Sequence, residues 1–114
     1  MRAAIDVLAA AGGHTLLVLG DMGEVGDQGP DFHLEVGRYA AERGIGALYA
    51  LGEQTAHAVA GFGSGARHFA TIEELIKAAR SASVSGTTLL VKGSRFMRME
   101  RVVTALAGRK GGSH

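Results

Sequence analysis

The sequence lacks cysteine altogether, and it has almost no excess of either sign of charge. The lack of cysteine excludes disulfide bonds, thiolate metal sites and cysteine nucleophiles. The formal net charge is only +1, whereas a domain dedicated to nucleic-acid binding usually shows a strong basic excess. We therefore expect no nucleic acid among the partners of this protein.

Long apolar runs are also missing from the sequence. No stretch approaches the roughly 20 apolar residues that a membrane-spanning helix needs. The first six residues include Asp6, an acid in a region where a signal peptide would be apolar. Because a cysteine-free composition also suits a reducing compartment, we expect a cytoplasmic protein with no membrane partner.

Proline occurs once in the 114 residues, whereas glycine occurs 18 times. This balance indicates many tight turns between ordered elements. Hydrophobic residues make up 46% of the chain and charged residues 20%, which argues against intrinsic disorder. The length supports one hydrophobic core, so we predict a single domain over residues 1–114.

Helical and strand patterns alternate along the chain. Apolar residues at helical spacing predict helices, and continuous apolar runs predict strands buried on both faces. The predicted helices cover residues 4–9, 30–43, 53–60, 72–79 and 99–106, and the predicted strands cover residues 15–19, 47–51, 67–70 and 87–91. The alternation predicts an α/β fold with a mainly parallel sheet and helices on both faces. Because such domains usually begin with a strand, we expect one before the first helix.

Two helix details follow from the pattern. The spacing of Thr71 and Glu74 predicts a capping box, in which each side chain would bond to the other residue's free backbone N–H. The last helix is expected to bury Met99, Val102, Val103 and Leu106. Residues 108–114 are expected to form a frayed tail.

The carboxyl ends of the predicted parallel strands indicate where a ligand would bind. Two loops lie there, at residues 20–29 and 92–95. The sequence contains no G-x-x-x-x-G-K-[ST] segment, so neither loop is an ATP phosphate cradle of the Walker type.

The segment Lys92-Gly93-Ser94-Arg95 joins a predicted buried strand to the last helix. Glycine allows close approach of a ligand to the backbone, serine can cap a helix, and two cations suit a carboxylate. One interpretation is therefore an anion site at a helix N-terminus. The other is a capped helix with two solvated cations.

The loop at residues 20–29 contains Asp21, Glu24 and Asp27 among several glycines. Three acids at a strand end can hold a magnesium ion or orient an ammonium group. A polar turn explains the same residues. Shortly beyond this loop, His33 is either a residue that orients a substrate group or a packed histidine.

Arg95, Arg98 and Arg101 follow one another at helical spacing. A solvated helix face that pairs with Glu100 explains this stripe, and a scaffold surface for a partner protein is the alternative.

Two segments resemble the C-terminal domain of the Mur ligases: VLGDMGEVG at residues 18–26 and LLVKGSRFMRMERVV at residues 89–103. His33 ahead of the segment EVG, and MRAAIDVLAA at the start of the chain, resemble the same family. The resemblance runs over nearly the whole chain, and the combination of both segments is specific. Val25 stands where the family commonly has leucine, and the Asn-rich loop that precedes the first helix in the family is absent, as is its strand.

The resemblance implies a Rossmann-like domain that closes over the substrates of an ATP-dependent peptide ligase. It implies an N-terminal domain and a central domain in cis, the central one holding ATP and Mg²⁺. The implied substrates are UDP-N-acetylmuramoyl-tripeptide, whose carboxylate ATP phosphorylates, and D-alanyl-D-alanine, whose amine attacks. The implied process is synthesis of the peptidoglycan precursor.

Carried over by position, the resemblance implies that the substrate-binding residues are Lys92, Ser94, Arg95, Asp21, Met22, Glu24 and His33. It implies no catalytic residue and no metal ligand in this chain, which we expect to be inactive by itself. Two alternatives remain open: a Mur ligase domain for another amino acid, and a stand-alone α/β module that binds an anion without catalysis.

Overall fold

The computed structural model describes residues 1–22, 29–83, 86–94 and 97–111. Within these residues five helices alternate with four strands. The helices are α1 (Arg2–Ala10), α2 (Gly29–Glu42), α3 (Thr55–Phe62), α4 (Ile72–Ala82) and α5 (Glu100–Gly111). The strands are β1 (His14–Gly20), β2 (Ala47–Leu51), β3 (Ala66–Phe69) and β4 (Thr87–Lys92).

The strands form one sheet in the order β3-β2-β1-β4, and every pairing in it is parallel. In the register, Leu19 of β1 stands beside Ala50 of β2 and Lys92 of β4. All four strands therefore end at the same edge of the sheet. The predicted fold class, a parallel α/β sheet, is confirmed.

Alternate side chains of β1 build two separate cores, as the two-residue period of a strand requires. Leu17 and Leu19 face a cluster with α1, α2 and α3, whereas Leu16 and Val18 face a cluster with α4 and α5. All four side chains are almost completely buried. Helices thus cover both faces, which is why the continuous apolar run predicted this strand correctly.

Glycine permits the close crossing of α2 and α3. A Cβ on Gly37 would lie 1.9 Å from the carbonyl oxygen of Ala58, and a Cβ on Gly61 would lie 2.3 Å from that of Leu34. The two helices therefore pack backbone against backbone, with one glycine contributed by each.

Five polar side chains hold α1 against α2, and we call this group the α1–α2 clasp: Arg2, Asp6, Glu35, Tyr39 and Arg43. Tyr39 Oη donates to Asp6 Oδ1 at 2.5 Å, and Arg43 Nε donates to the same oxygen at 2.9 Å. Arg2 lies over the ring of Tyr39 and pairs with Glu35. The hydrogen bond from Tyr39, helped by Arg43, lowers the pKa of Asp6, and the same bond raises the pKa of Tyr39.

Three details differ from the expectations. Thr71 Oγ1 accepts from Glu74 N at 3.2 Å, but the return bond of the capping box is not seen between these two described residues. The side chain of Val103 is 50% exposed instead of buried, whereas Met99 and Val102 are buried as predicted. The backbone of α5 is helical to Gly111, beyond the start of the predicted tail; fraying of that tail stays a prediction.

No helix within the described ranges is long and apolar enough to cross a membrane.

Candidate functional site

At the carboxyl edge of the sheet, where all four strands end, the helices that follow the neighbouring strands β1 and β4 lie on opposite faces. The connection from β1 runs through α2 to β2, whereas β4 lies on the other side of β1 and is followed by α5 on the other face. Parallel α/β sheets bind ligands at such a point. We call this point, between the ends of β1 and β4, the crevice, and Asp21 and Gly93, which directly follow the two strands, flank it.

Asp21 ties the ends of three strands together. Its backbone carbonyl accepts from Ser94 N at 2.9 Å, which joins the loop after β1 to the loop after β4. Its Oδ1 accepts from Thr55 N at 2.9 Å, in the first turn of α3 after β2. A carboxylate at this position satisfies a free N–H and favours the positive end of the helix dipole.

Gly52 makes room for the carboxylate of Asp21. Its φ of +117° lies in a region that favours glycine, and a Cβ there would stand 2.4 Å from Asp21 Oδ1. The carbonyl of Gly52 accepts from Thr55 Oγ1 at 2.7 Å and lies 2.6 Å from His68 Nε2. The turn after β2 therefore packs closely against the carboxylate of Asp21.

Met99 packs against two glycines, Gly20 at the end of β1 and Gly93 directly after β4. A Cβ on Gly20 would lie 2.7 Å from Met99 Cγ, and a Cβ on Gly93 would lie 2.6 Å from the same atom. That second Cβ would also lie 3.3 Å from the Cα of Gly20. The ends of β1 and β4 approach this closely because neither glycine carries a side chain.

Lys92 and Ser94 supply polar groups with unused hydrogen-bonding capacity. Lys92 is the last residue of β4, is half-buried, and makes no ion pair with any residue in the described ranges. Ser94 Oγ is buried and has no hydrogen-bond partner in the described part of the chain. A buried hydroxyl without a partner costs free energy, so a bound acceptor or donor at this point would be stabilised.

The interpretation of Ser94 as the cap of the last helix is wrong. Helix α5 begins at Glu100, and a turn at residues 97–99 precedes it, with Arg98 at a φ of +53°. Ser94 therefore does not cap α5, and the helix dipole does not act at this residue. Arg101 Nη2 and Nε donate to the carbonyls of Met97 and Arg98, both at 2.9 Å, so the predicted arginine stripe is not one face of one helix.

The imidazole of His33 is buried, which does not suit a residue that contacts a substrate. Its side chain is 0% exposed. Nε2 accepts from Met22 N at 3.0 Å, and Nδ1 lies 2.6 Å from the carbonyl oxygen of Gly29. With both ring nitrogens bonded to backbone, the side chain has no atom left for a substrate. The structure favours the packed histidine over the substrate-contacting one.

The remaining predicted site residues are Met22, Glu24 and Arg95. Met22 is half-buried and packs against the core on the α1–α3 side. Glu24 and Arg95 lie outside the described residues, as does Asp27. Among the residues that the structure does describe, no three acidic or histidine side chains form a group able to hold a metal ion.

Gly52, Gln54 and Thr55 were not identified from the sequence as residues of the site. Thr55 is 0% exposed and bonds to Asp21, and the neighbouring Gln54 buries an Oε1 atom that has no partner among the described residues. The segment Gly52-Glu53-Gln54-Thr55 directly follows a predicted strand. Because ligand sites were expected at the carboxyl ends of strands, the position of this segment directly after β2 could have identified these residues.

Comparison with protein families agrees with this geometry. A family model described as Mur ligase, glutamate ligase domain, matches residues 1–95. The UDP-N-acetylmuramoyl-tripeptide–D-alanyl-D-alanine ligase of Escherichia coli (strain K12) is 40% identical over 108 residues, which cover 93% of this chain and 24% of that protein. The chain thus spans about a quarter of the length of this relative.

Solved structures share the fold. MurF from Acinetobacter baumannii superposes with a TM-score of 0.80 at 33% identity, covering 93% of this chain and 25% of that one. The MurF ligase from Thermotoga maritima, solved in complex with ADP, superposes with a TM-score of 0.82 at 21% identity, over 99% of this chain and 26% of that one. At that lower identity the likeness shows the fold alone.

Proposed function

Because the chain belongs to the Mur ligase family as its glutamate ligase domain, we propose that it is the C-terminal domain of an ATP-dependent ligase. The proposed reaction joins D-alanyl-D-alanine to UDP-N-acetylmuramoyl-tripeptide. The relative at 40% identity bears that name and supports this choice of substrates.

The observation that carries the proposal is that the ends of β1 and β4 meet, with Ser94 N bonded to the Asp21 carbonyl beside Lys92. A dipeptide brings a carboxylate, which needs a cation and hydrogen-bond donors. Lys92 offers an ammonium group, Ser94 a buried hydroxyl that has no partner among the described residues, and Gly93 a backbone that a ligand can approach. Because α5 begins only at Glu100, we assign the binding of the carboxylate to these groups and not to the N–H groups of a helix that begins at Ser94.

Within this proposal, Asp21 and Lys92 have different tasks. Asp21 orders the crevice, because it bonds to Ser94 and to the start of α3. Lys92 and Ser94 bind the carboxylate of the dipeptide, and Arg95 adds a guanidinium to the same group. Met22 and Glu24, which the sequence places after β1, are proposed to contribute to binding the same substrate.

Neither the sequence motifs nor the described residues offer a recognisable site for ATP or Mg²⁺. The sequence has no Walker loop, and its described residues contain no metal-binding group. We therefore assign both mainly to the central domain of the ligase, with the N-terminal domain also in cis. This domain holds the dipeptide and excludes water from the activated tripeptide when the domains close. A cytoplasmic location, where ATP is available, is part of the same proposal.

The test uses the purified full-length ligase that contains this chain. Release of ADP and the mass of the product are measured with UDP-N-acetylmuramoyl-tripeptide and either D-alanyl-D-alanine, D-alanine, L-alanine or D-glutamate. We expect rapid ligation of D-alanyl-D-alanine only. Faster ligation of a single amino acid would move the chain to another member of the family.

The isolated chain serves as the control for the division of labour between domains. We expect it to hydrolyse no ATP, with or without Mg²⁺ and the dipeptide. Magnesium-dependent ATP hydrolysis by the isolated chain would contradict the assignment of the nucleotide to the other domains. Absence of ligation by the full-length protein, with binding of simple anions retained, would favour an anion-binding module.

A further inference from the structure

We infer that His33 is a positioning residue that holds the end of β1 in the conformation needed to bind the dipeptide. The inference rests on the proposed function, because it concerns the same crevice. It assigns His33 a task that acts through Met22 and Asp21, without contact between the imidazole and the substrate.

The imidazole is held in one tautomer by its two partners. A backbone N–H can only donate, so Nε2 must accept from Met22 and carries no proton. A carbonyl can only accept, so Nδ1 carries the proton and donates to Gly29. The side chain is 0% exposed, and both of its ring nitrogens are satisfied by these two bonds.

The two bonds connect the start of α2 to the end of β1. Gly29 and His33 both belong to the first turns of α2, whereas Met22 follows Asp21 directly. The bond at 3.0 Å therefore fixes the peptide plane between Asp21 and Met22, the plane that contains the Asp21 carbonyl. This carbonyl is the atom that accepts from Ser94 N.

A chain of contacts thus runs from His33 to the residues proposed to bind the dipeptide. If the peptide plane after Asp21 rotates, the carbonyl turns away from Ser94 N, and the loop after β4 loses its link to β1. The carboxylate of the same residue also accepts from Thr55 N. The positioning of Ser94 is therefore sensitive to the His33–Met22 bond, although the imidazole is not part of the crevice.

Packing alone does not explain an imidazole at this position. A buried polar ring costs free energy unless its nitrogens are bonded, and an apolar side chain would fill the same space without that cost. The ring of Phe32 packs edge-on against His33 at 5.5 Å between centroids, so the surroundings already suit an apolar residue. The two backbone bonds are what an apolar side chain would not supply.

Two substitutions separate the two bonds of His33. In His33→Asn the shorter amide places its NH₂ near Nδ1, so it keeps the bond to Gly29 and loses the bond to Met22. In His33→Gln the longer amide places its oxygen near Nε2, so it keeps the bond to Met22 and loses the bond to Gly29. The inference assigns the effect on the dipeptide to the Met22 bond.

The matched control is Val36→Ala, one turn further along the same helix. Val36 is buried at 5% exposure and has no polar atom in its side chain. Its truncation destabilises α2 against the core but leaves the His33–Met22 bond in place. It therefore reports what a purely structural weakening of α2 does to the kinetics.

The measurement is the KM for D-alanyl-D-alanine, ATP and UDP-N-acetylmuramoyl-tripeptide, with kcat and Tm, in the full-length ligase. We expect His33→Asn to raise the KM for the dipeptide about three- to tenfold, the effect of one net hydrogen bond, with the KM for ATP unchanged. We expect His33→Gln to restore most of the dipeptide KM. Val36→Ala should lower Tm and leave every KM close to that of the wild type.

A second measurement does not depend on how the variants fold. In the wild-type ligase labelled with ¹⁵N-histidine, the ring nitrogens of His33 should show a protonated Nδ1 and an unprotonated Nε2. The opposite tautomer would overturn the inference, because Nε2–H would not accept from Met22. An equal rise in the dipeptide KM for Val36→Ala and His33→Asn would also overturn it.

Lys92→Met separates the failure of this inference from the failure of the proposed function. If Lys92→Met raises the dipeptide KM while His33→Asn does not, only the positioning role fails. If the wild-type enzyme does not ligate the dipeptide, the proposed function fails and the positioning role fails with it. If it does ligate the dipeptide and Lys92→Met leaves the KM unchanged, the assignment of the carboxylate to Lys92 fails while the ligase function stands.

Discussion

The carboxyl edge and the α1–α2 clasp are both held by polar contacts, but the contacts differ in kind. At the carboxyl edge, Asp21 and His33 bond to backbone groups, and His33 and Thr55 are 0% exposed. In the clasp the partners are charged side chains in contact with solvent. The ion pairs of Arg2 with Glu35 and of Arg43 with Asp6 have side chains between 45% and 68% exposed.

This difference teaches which contacts can fix the geometry of a site. Exposed ion pairs contribute little, because water and salt screen them and two long side chains must be ordered. A buried side chain that bonds to backbone leaves an unsatisfied N–H when it is removed, and that costs more. The carboxyl edge is therefore expected to be rigid and sensitive to substitution. The clasp is expected to tolerate substitution, and its contribution to stability is expected to depend on pH.

The largest effect on stability is expected for Asp21→Ala at the carboxyl edge. This change leaves Thr55 N without its acceptor, at a cost of about 2 kcal/mol in the free energy of unfolding. Asp21→Asn keeps an oxygen acceptor and should cost about half as much. Urea unfolding of the isolated chain measures both, and equal stability of Asp21→Ala and the wild type would contradict the role of Asp21.

A smaller loss is expected for Gly93→Ala, which adds a methyl group against Met99. The Cβ would lie 2.6 Å from Met99 Cγ, so Met99 must move. Such overpacking costs about 1 to 2 kcal/mol. Combined with Met99→Ala, the same glycine substitution should cost clearly less, which a double-mutant cycle detects. Strict additivity of the two substitutions would show that Met99 is not the obstacle.

The smallest effect is expected for Asp6→Asn in the clasp, and it should depend on pH. The pKa of Asp6 is lowered by Tyr39 and Arg43, so its contribution is present above its ordinary pKa of 3.8 and is lost as the pH falls through the lower folded value. The pKa of Tyr39 is raised, so its contribution is present below its ordinary pKa of 10.0 and is lost as the pH rises through the higher folded value.

Urea midpoints of the wild type, Asp6→Asn and Tyr39→Phe across the pH range measure this contribution. Both variants should be slightly less stable than the wild type near neutral pH. The difference should shrink toward acid pH for both and toward alkaline pH for both, because each removes the same hydrogen bond. A difference that stays constant at every pH would contradict a titrating clasp.

The fold was predictable because its strands and helices are simple in pattern. The apolar runs at Leu16 and Leu48 mark strands covered on both faces, and the turn glycines mark most of the boundaries. The site was predictable in position, since the loops at Asp21 and Lys92 both follow strands. Parallel strands bring such loops together whatever the side chains are.

The features that the sequence did not predict depend on contacts between residues far apart in the chain. Helix α5 begins at Glu100, directly after Met99, which packs against Gly20 and Gly93, and helical spacing does not report this contact. Similarly, the bond of Asp21 to Thr55 and the bond of His33 to Met22 join different elements. A sequence pattern shows that His33 is a histidine near a loop, but it does not show which atoms the imidazole faces.

The central claim is that the carboxyl edge binds the incoming dipeptide through Lys92. The most direct test compares Lys92→Met with Lys77→Met, an exposed lysine on α4, in the full-length ligase. The account predicts that Lys92→Met raises the KM for D-alanyl-D-alanine about tenfold with Tm nearly unchanged, and that Lys77→Met changes neither. An unchanged dipeptide KM in Lys92→Met, or an equal rise in both variants, would contradict the claim.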